Sequence, residues 1–123
     1  MNPILCWTDI PVTDLDRAIT FYSAVLGVVI EKQEVTPTVQ FGVFPGSEHG
    51  PSGCLVTAED NAPSDSGPLV YLSVEGRLDE AIRQTTVHGG SVLYPKHEIG
   101  PHGHRAVVHD SEGNRIALHS VVG

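Results

Sequence analysis

Positive charge is scarce in this chain. Seven Lys and Arg stand against fifteen Asp and Glu, giving a formal net charge of −8. Nucleic acid is excluded as a partner, because its binding needs a basic patch that releases phosphate counterions. The acidic balance suits solubility and is compatible with a cationic ligand. Cysteine is nearly absent: Cys6 and Cys54 are the only two. That is too few for a disulfide framework and fits free thiols in a reducing compartment. No apolar run approaches the roughly 20 residues that span a bilayer, so no membrane role is expected. The opening Met1-Asn2-Pro3-Ile4 carries no basic segment followed by a long apolar one, and a cytoplasmic location is expected. Phosphate-binding glycine loops are missing, since Gly89-Gly90 reads as a helix end. No serine sits in a G-x-S-x-G elbow. Trp7 is the only tryptophan.

What is present is length for one domain, 123 residues with 40% hydrophobic composition, enough to bury a core without staples. An internal echo organises it. Leu15-Asp16-Arg17-Ala18-Ile19 returns as Leu78-Asp79-Glu80-Ala81-Ile82, and the same offset pairs Gly27 with Gly90 and Cys54-Leu55 with Ala117-Leu118. Upstream, Ile10-Pro11-Val12 matches Leu72-Ser73-Val74 at an offset one residue shorter. The whole chain, 1–123, therefore reads as one domain made of two modules, about 3–59 and 68–121.

Each module reads as strand, helix and three strands. In the first, strands are expected over 4–12, 28–35, 39–44 and 53–58. The helix between the first two has Thr13 as N-cap and Gly27 as its end. In the second, strands are expected over 69–75, 91–95, 104–109 and 115–121, with a helix over 78–88. Residues 109–114 form the last hairpin turn, with Gly113 supplying a positive φ. Residues 95–104, punctuated by Gly and Pro, read as a loop.

This order, carried on Ile10-Pro11-Val12-Thr13-Asp14-Leu15-Asp16-Arg17-Ala18-Ile19-Thr20-Phe21-Tyr22, then Val25-Leu26-Gly27, His88-Gly89-Gly90 and Asp110-Ser111-Glu112-Gly113-Asn114-Arg115-Ile116-Ala117-Leu118, resembles the vicinal-oxygen-chelate superfamily of glyoxalase, bleomycin-resistance and dioxygenase-like proteins. The resemblance implies an α+β fold in which two βαβββ modules form open half-barrels around a cavity, often in a homodimer. It also implies where metal-dependent members place four His or Glu ligands: on the first and last strand of each module. Carried over by position, those slots are Trp7, Cys54, Leu69 and Ala117, with Val56 as the alternative to Cys54. Only the thiol is a metal donor, and one ligand does not make a site. The expectation is no metal and no cofactor, in an apolar cavity where Trp7 either stacks on a ligand or simply fills the space.

Strand alternation adds Asp9 beside Trp7, Tyr71 beside Leu69 and His119 beside Ala117. Each of these is either a cavity group or an ordinary strand-end side chain. His97, His102 and His104 crowd one short stretch, which reads as a solvated loop or a ligand cover. The candidate ligand-binding set is Trp7, Asp9, Cys54, Leu69, Tyr71, His104, Ala117 and His119, with no catalytic residue assigned. Three functions compete. The first is a small-molecule-binding protein without the usual metal site. The second is a metal-dependent lyase or dioxygenase using displaced ligands such as His104, His109 and His119. The third is a non-catalytic interaction module without a cavity.

Overall fold

Leu15, Ala18, Phe21, Tyr22 and Val25 recur at helical spacing, and all five are buried along one stripe of helix α1 (Leu15–Leu26). Asp14, rather than Thr13, caps it. The Asp14 carboxylate accepts the Arg17 amide at 3.1 Å, and the chain leaves the helix through Gly27 at φ 68°. Thr13 instead stands one residue outside the helix. Helix α2 (Leu78–Val87) buries Leu78, Ala81 and Thr85 in the same way. It ends one residue earlier than its sequence pattern suggests, with His88 as the cap. The computed structural model describes residues 3–123; Met1 and Asn2, part of the segment read for a leader, lie outside the described residues.

Among the described residues, eight strands form two four-stranded sheets. The first contains β1 (Trp7–Pro11), β2 (Lys32–Thr36), β3 (Val39–Val43) and β4 (Ser52–Val56), in the order β1-β4-β3-β2. The second contains β5 (Val70–Ser73), β6 (Ser91–Glu98), β7 (His104–His109) and β8 (Arg115–Ser120), in the order β5-β8-β7-β6. In each sheet the first strand pairs parallel to the last, and the other pairs are antiparallel. The fold is α+β, two βαβββ modules. Strand bounds shift at the ends: β1 begins at Trp7 rather than residue 4, and β2 at Lys32 rather than residue 28. The expected loop over 95–104 is half strand, because β6 runs on through Pro95 to Glu98. β6 is an edge strand with irregular register near Tyr94, the setting in which a strand tolerates proline. What remains of the loop is a short 3₁₀ turn at Gly100–His102.

One hydrophobic core lies between the sheets and contains both helices. Ile10, Val12 and Leu55 reach it from the first sheet, and Val74, Ala106, Val108, Ile116 and Leu118 from the second. Cys54, Val107 and Ala117 are buried but do not belong to that cluster. They alternate with core residues, so they point to the opposite, open face of each sheet. Gly90 sits where the helix turns into β6; a Cβ there would lie 2.3 Å from the His109 carbonyl oxygen. Only glycine allows that approach. Among the described residues no strand ladder joins the two sheets, so the half-barrels remain open.

The hairpin turn between β7 and β8 fastens one module to the other. The Asp110 carboxylate accepts the Glu112 and Asn114 amides at 2.8 Å each, which shapes the turn. Its other oxygen accepts the buried Tyr22 hydroxyl at 2.6 Å and the Asn114 amide group at 2.9 Å. Asn114 also donates to the Pro11 carbonyl at the end of β1. Burial first, and Asp110 second, push the Tyr22 phenol well above its ordinary pKa of 10. Glu112 completes the fastening. It accepts the Thr13 and Asp14 amides at 2.9 Å each and takes Arg17 on both carboxylate oxygens at 2.7 and 2.9 Å.

Candidate functional site

The open face of each sheet is built in rows, because paired strands put register partners side by side. In the first sheet Asp9 stands opposite Cys54, and Cys54 opposite Val43. Trp7 precedes Asp9 on the same side, and its indole N–H donates to the Asp9 carboxylate at 3.0 Å. The Cys54 thiol donates to the same oxygen at 3.4 Å. Burial, helped by that carboxylate, pushes the thiol up to about 11. Cys54 is therefore a protonated group at neutral pH rather than a nucleophile. The structure thus brings Trp7, Asp9 and Cys54 together. The next row runs Val56, Phe41, Gln33 across β4, β3 and β2.

In the second sheet Tyr71 stands opposite Ala117, and Ala117 opposite Val107. The next row runs Ser73, His119, Arg105, His97 across all four strands. Leu69 lies one residue before β5, half-buried. The register equates Asp9–Cys54 of the first module with Tyr71–Ala117 of the second. That fixes the shorter offset for the first strand and makes Trp7 the counterpart of Leu69.

The second row is polar and tightly organised. His97 Nδ1 donates to the Pro95 carbonyl at 2.8 Å, which leaves its Nε2 to accept from Arg105 Nε at 3.0 Å. These two bonds fix the orientation of the His97 ring. A second guanidinium nitrogen, Nη1, donates to the Tyr71 hydroxyl, and the guanidinium lies 5.8 Å from the centre of that ring. His119 Nε2 donates to the His102 carbonyl at 2.6 Å, and its ring meets Tyr71 edge-on at 6.3 Å. Tyr71, Ile99, His102 and His119 bound an open hollow of about 440 Å³.

His104 goes elsewhere. It pairs with Ser120 across β8 and so points away from the row of His119 and Arg105. Its Nε2 lies 3.8 Å from Glu98, and its Nδ1 is buried without a partner. His102 contributes a backbone carbonyl to the hollow, and its side chain is exposed. Among the described residues no three His, Cys, Asp or Glu side chains are grouped closely enough to hold a metal ion. Trp7 and Tyr71 are 44% and 48% exposed, so neither sheet's open face is a sealed chamber within one chain. Within one chain the two open faces differ: the first carries Trp7, Asp9 and Cys54, the second a polar, arginine-bearing row.

Sequence reasoning missed Arg105 and the role of His97. A signal existed. The turn over 109–114 closes on the pair His109 and Arg115, and counting outward by twos places Arg105 beside His119.

Comparisons agree with this architecture. The family model for the glyoxalase/bleomycin resistance protein/dioxygenase superfamily matches residues 4–118. Among solved structures, a glyoxalase/bleomycin resistance protein from Albidiferax ferrireducens superposes with a TM-score of 0.69 at 18% identity, covering 96% of this chain and 99% of that one. A glyoxalase I mutant from Zea mays gives 0.72 at 17% identity, over 94% of this chain and 46% of that one. A genomically encoded fosfomycin resistance protein from Listeria monocytogenes gives 0.65 at 13%, over 98% and 93%. At such identities the likeness speaks for fold alone. No curated protein matches the chain. The matched length, the paired βαβββ modules and the parallel first-to-last strand pairing together establish that the chain belongs to the glyoxalase/bleomycin resistance protein/dioxygenase superfamily.

Proposed function

We propose that this chain is a small-molecule-binding member of its superfamily that works without a divalent metal, holding its ligand on the open faces of the two sheets. One observation carries the reading: the donor set at the four slots. Trp7, Leu69 and Ala117 offer no metal donor at all. Cys54 keeps its proton, pushed up to about 11, and hydrogen-bonds to Asp9. A hard or borderline divalent ion needs several deprotonated or neutral N, O or S donors converging on one point, so the residues present do not fit it. No chemical step through a metal follows for this chain.

The half-exposed Trp7 and Tyr71 favour a binding surface over a filled core. Large aromatic side chains at an opening supply contact area for a flat ligand. A homodimer fits the same picture, because two open half-barrels expose edges and apolar area that a second copy can cover. The test combines metal content with ligand response. Untagged protein washed with a weak chelator is expected to hold far less than one divalent ion per chain by elemental analysis. Compounds that raise its melting temperature by mass action are expected to quench or shift the Trp7 emission. Stoichiometric Ni, Zn, Fe or Mn would refute the metal-free reading.

A further inference from the structure

The geometry points to an anion-binding function for the second sheet: we infer that Arg105, with Tyr71, receives the carboxylate of a small organic acid whose apolar part lies in the hollow beside Ile99 and His119. This inference rests on the small-molecule reading above and gives the ligand a chemical class. It also reverses the bias of the overall charge. The chain carries −8, yet this open face presents Arg105, Arg115, His97, His109 and His119. Among the described residues, Asp65, 3.5 Å from His109, is the carboxylate that an ion pair brings to these five side chains, and Glu75 acts on His119 from farther away.

Three features of Arg105 single it out. First, it is half-buried, and among the described residues no carboxylate lies within salt-bridge distance of it. Arg17 and Arg83 pair with Glu112 and Glu80, whereas Arg77 and Arg115, also without a carboxylate partner among the described residues, each spend a terminal guanidinium nitrogen on a backbone carbonyl, of Val25 and Gly67. A partly desolvated guanidinium without a counter-charge favours an incoming anion. Second, its orientation is fixed without a carboxylate. Nε is held by His97 and Nη1 by Tyr71, while Nη2 has no partner among the described residues. The nitrogens that hold the side chain still are therefore not the one left to meet the ligand. Third, Tyr71 accepts from Arg105 with its oxygen, so its own O–H remains free to donate. Arg105 Nη2 and the Tyr71 hydroxyl thus offer two N–H and O–H donors to one oxyanion, the arrangement that a planar carboxylate matches. Next to them, the hollow of about 440 Å³ is of the size that small organic ligands occupy.

Calorimetric titration of the full chain tests this with three probes: 1-naphthoate, its neutral counterpart 1-naphthamide, and inorganic phosphate. Naphthoate is expected to bind about ten-fold or more tightly than naphthamide. Arg105→Gln should erase that preference, while Arg83→Gln, the same charge change on α2, should leave it intact. Tyr71→Phe, a milder substitution that serves if Arg105→Gln fails to fold, should weaken naphthoate about three-fold and leave naphthamide unchanged. Equal binding of naphthoate and naphthamide overturns the anion assignment while sparing the small-molecule reading. Binding of phosphate in place of naphthoate overturns the carboxylate class. No binding of any probe, by a protein that also shows no stabilising ligand in the thermal assay, overturns both readings.

Discussion

Replacing Glu112 by Gln tests whether the turn between β7 and β8 holds the two modules together. Glu112 has a fully buried side chain and receives five hydrogen bonds: two from Arg17, one each from the Thr13 and Asp14 amides, and one from Ser111. Burial pushes its carboxyl up, but the Arg17 hydrogen bonds and those of Asp14, Ser111 and Thr13 outweigh it and hold it at about 2. Lowering a carboxyl from 4.5 to about 2 is linked to about 3 kcal/mol of stability, at 1.36 kcal/mol per pH unit. The Arg17 side chain is 52% exposed, so solvent screening reduces this to about 1–2 kcal/mol. For a chain of this length, about 4 °C per kcal/mol gives a fall of about 4–8 °C in Tm. The pH dependence has a definite sign. A depressed carboxyl stabilises the fold above its unfolded value and loses that contribution as pH falls through the folded one. The gap between wild type and Glu112→Gln in urea melts should therefore be full near neutrality and close between pH 4.5 and about 2. An unchanged Tm, or a gap independent of pH, would refute the reasoning.

Four further outcomes are expected. Tyr22→Phe removes the buried 2.6 Å hydrogen bond to Asp110 and should cost about 1–2 kcal/mol in urea unfolding; a neutral result would show that the Glu112 and Asn114 donors satisfy the carboxylate without it. Because burial raises the Tyr22 phenol, the wild type should lose stability as pH climbs past 10, and Tyr22→Phe should lose less. Iodoacetamide near pH 8 should label exposed Cys6 quickly and Cys54 slowly, since a thiol at about 11 is only about one part in a thousand thiolate; equal rates by mass spectrometry would contradict the buried, Asp9-bonded thiol. Light scattering should report a dimer, and a constant mass of 13.1 kDa across micromolar concentrations would remove the homodimer.

The sequence by itself determined the architecture. Helical spacing of Leu15, Ala18, Phe21, Tyr22 and Val25 defines α1, and its echo in Leu78 and Ala81 defines α2 as a second copy. Those patterns are local, with periods of 3.6 and 2 that a chain displays without folding. The glycine at the end of α1 and the one in the last hairpin were legible for the same reason, since a positive φ leaves its mark in residue type. Tertiary structure decided what the periods do not encode. Asp14 rather than Thr13 caps α1: the helix starts at Leu15, the Asp14 carboxylate takes the Arg17 amide, and Glu112, 98 residues from Asp14, takes the Thr13 and Asp14 amides. β6 continues through Pro95 because its edge position spares the missing N–H. The polar row on the second sheet is a product of pairing: Ser73, His119, Arg105 and His97 come from four strands, and nothing within any one of them shows that they meet. Alternation assigns a residue to one of two faces, whereas only the register between strands says which residues share a row. That is why Trp7 and Asp9 could be grouped by alternation and Cys54 joined to them by the resemblance, while beyond the Arg105–His119 pair implied by the last hairpin the full row required the folded sheet.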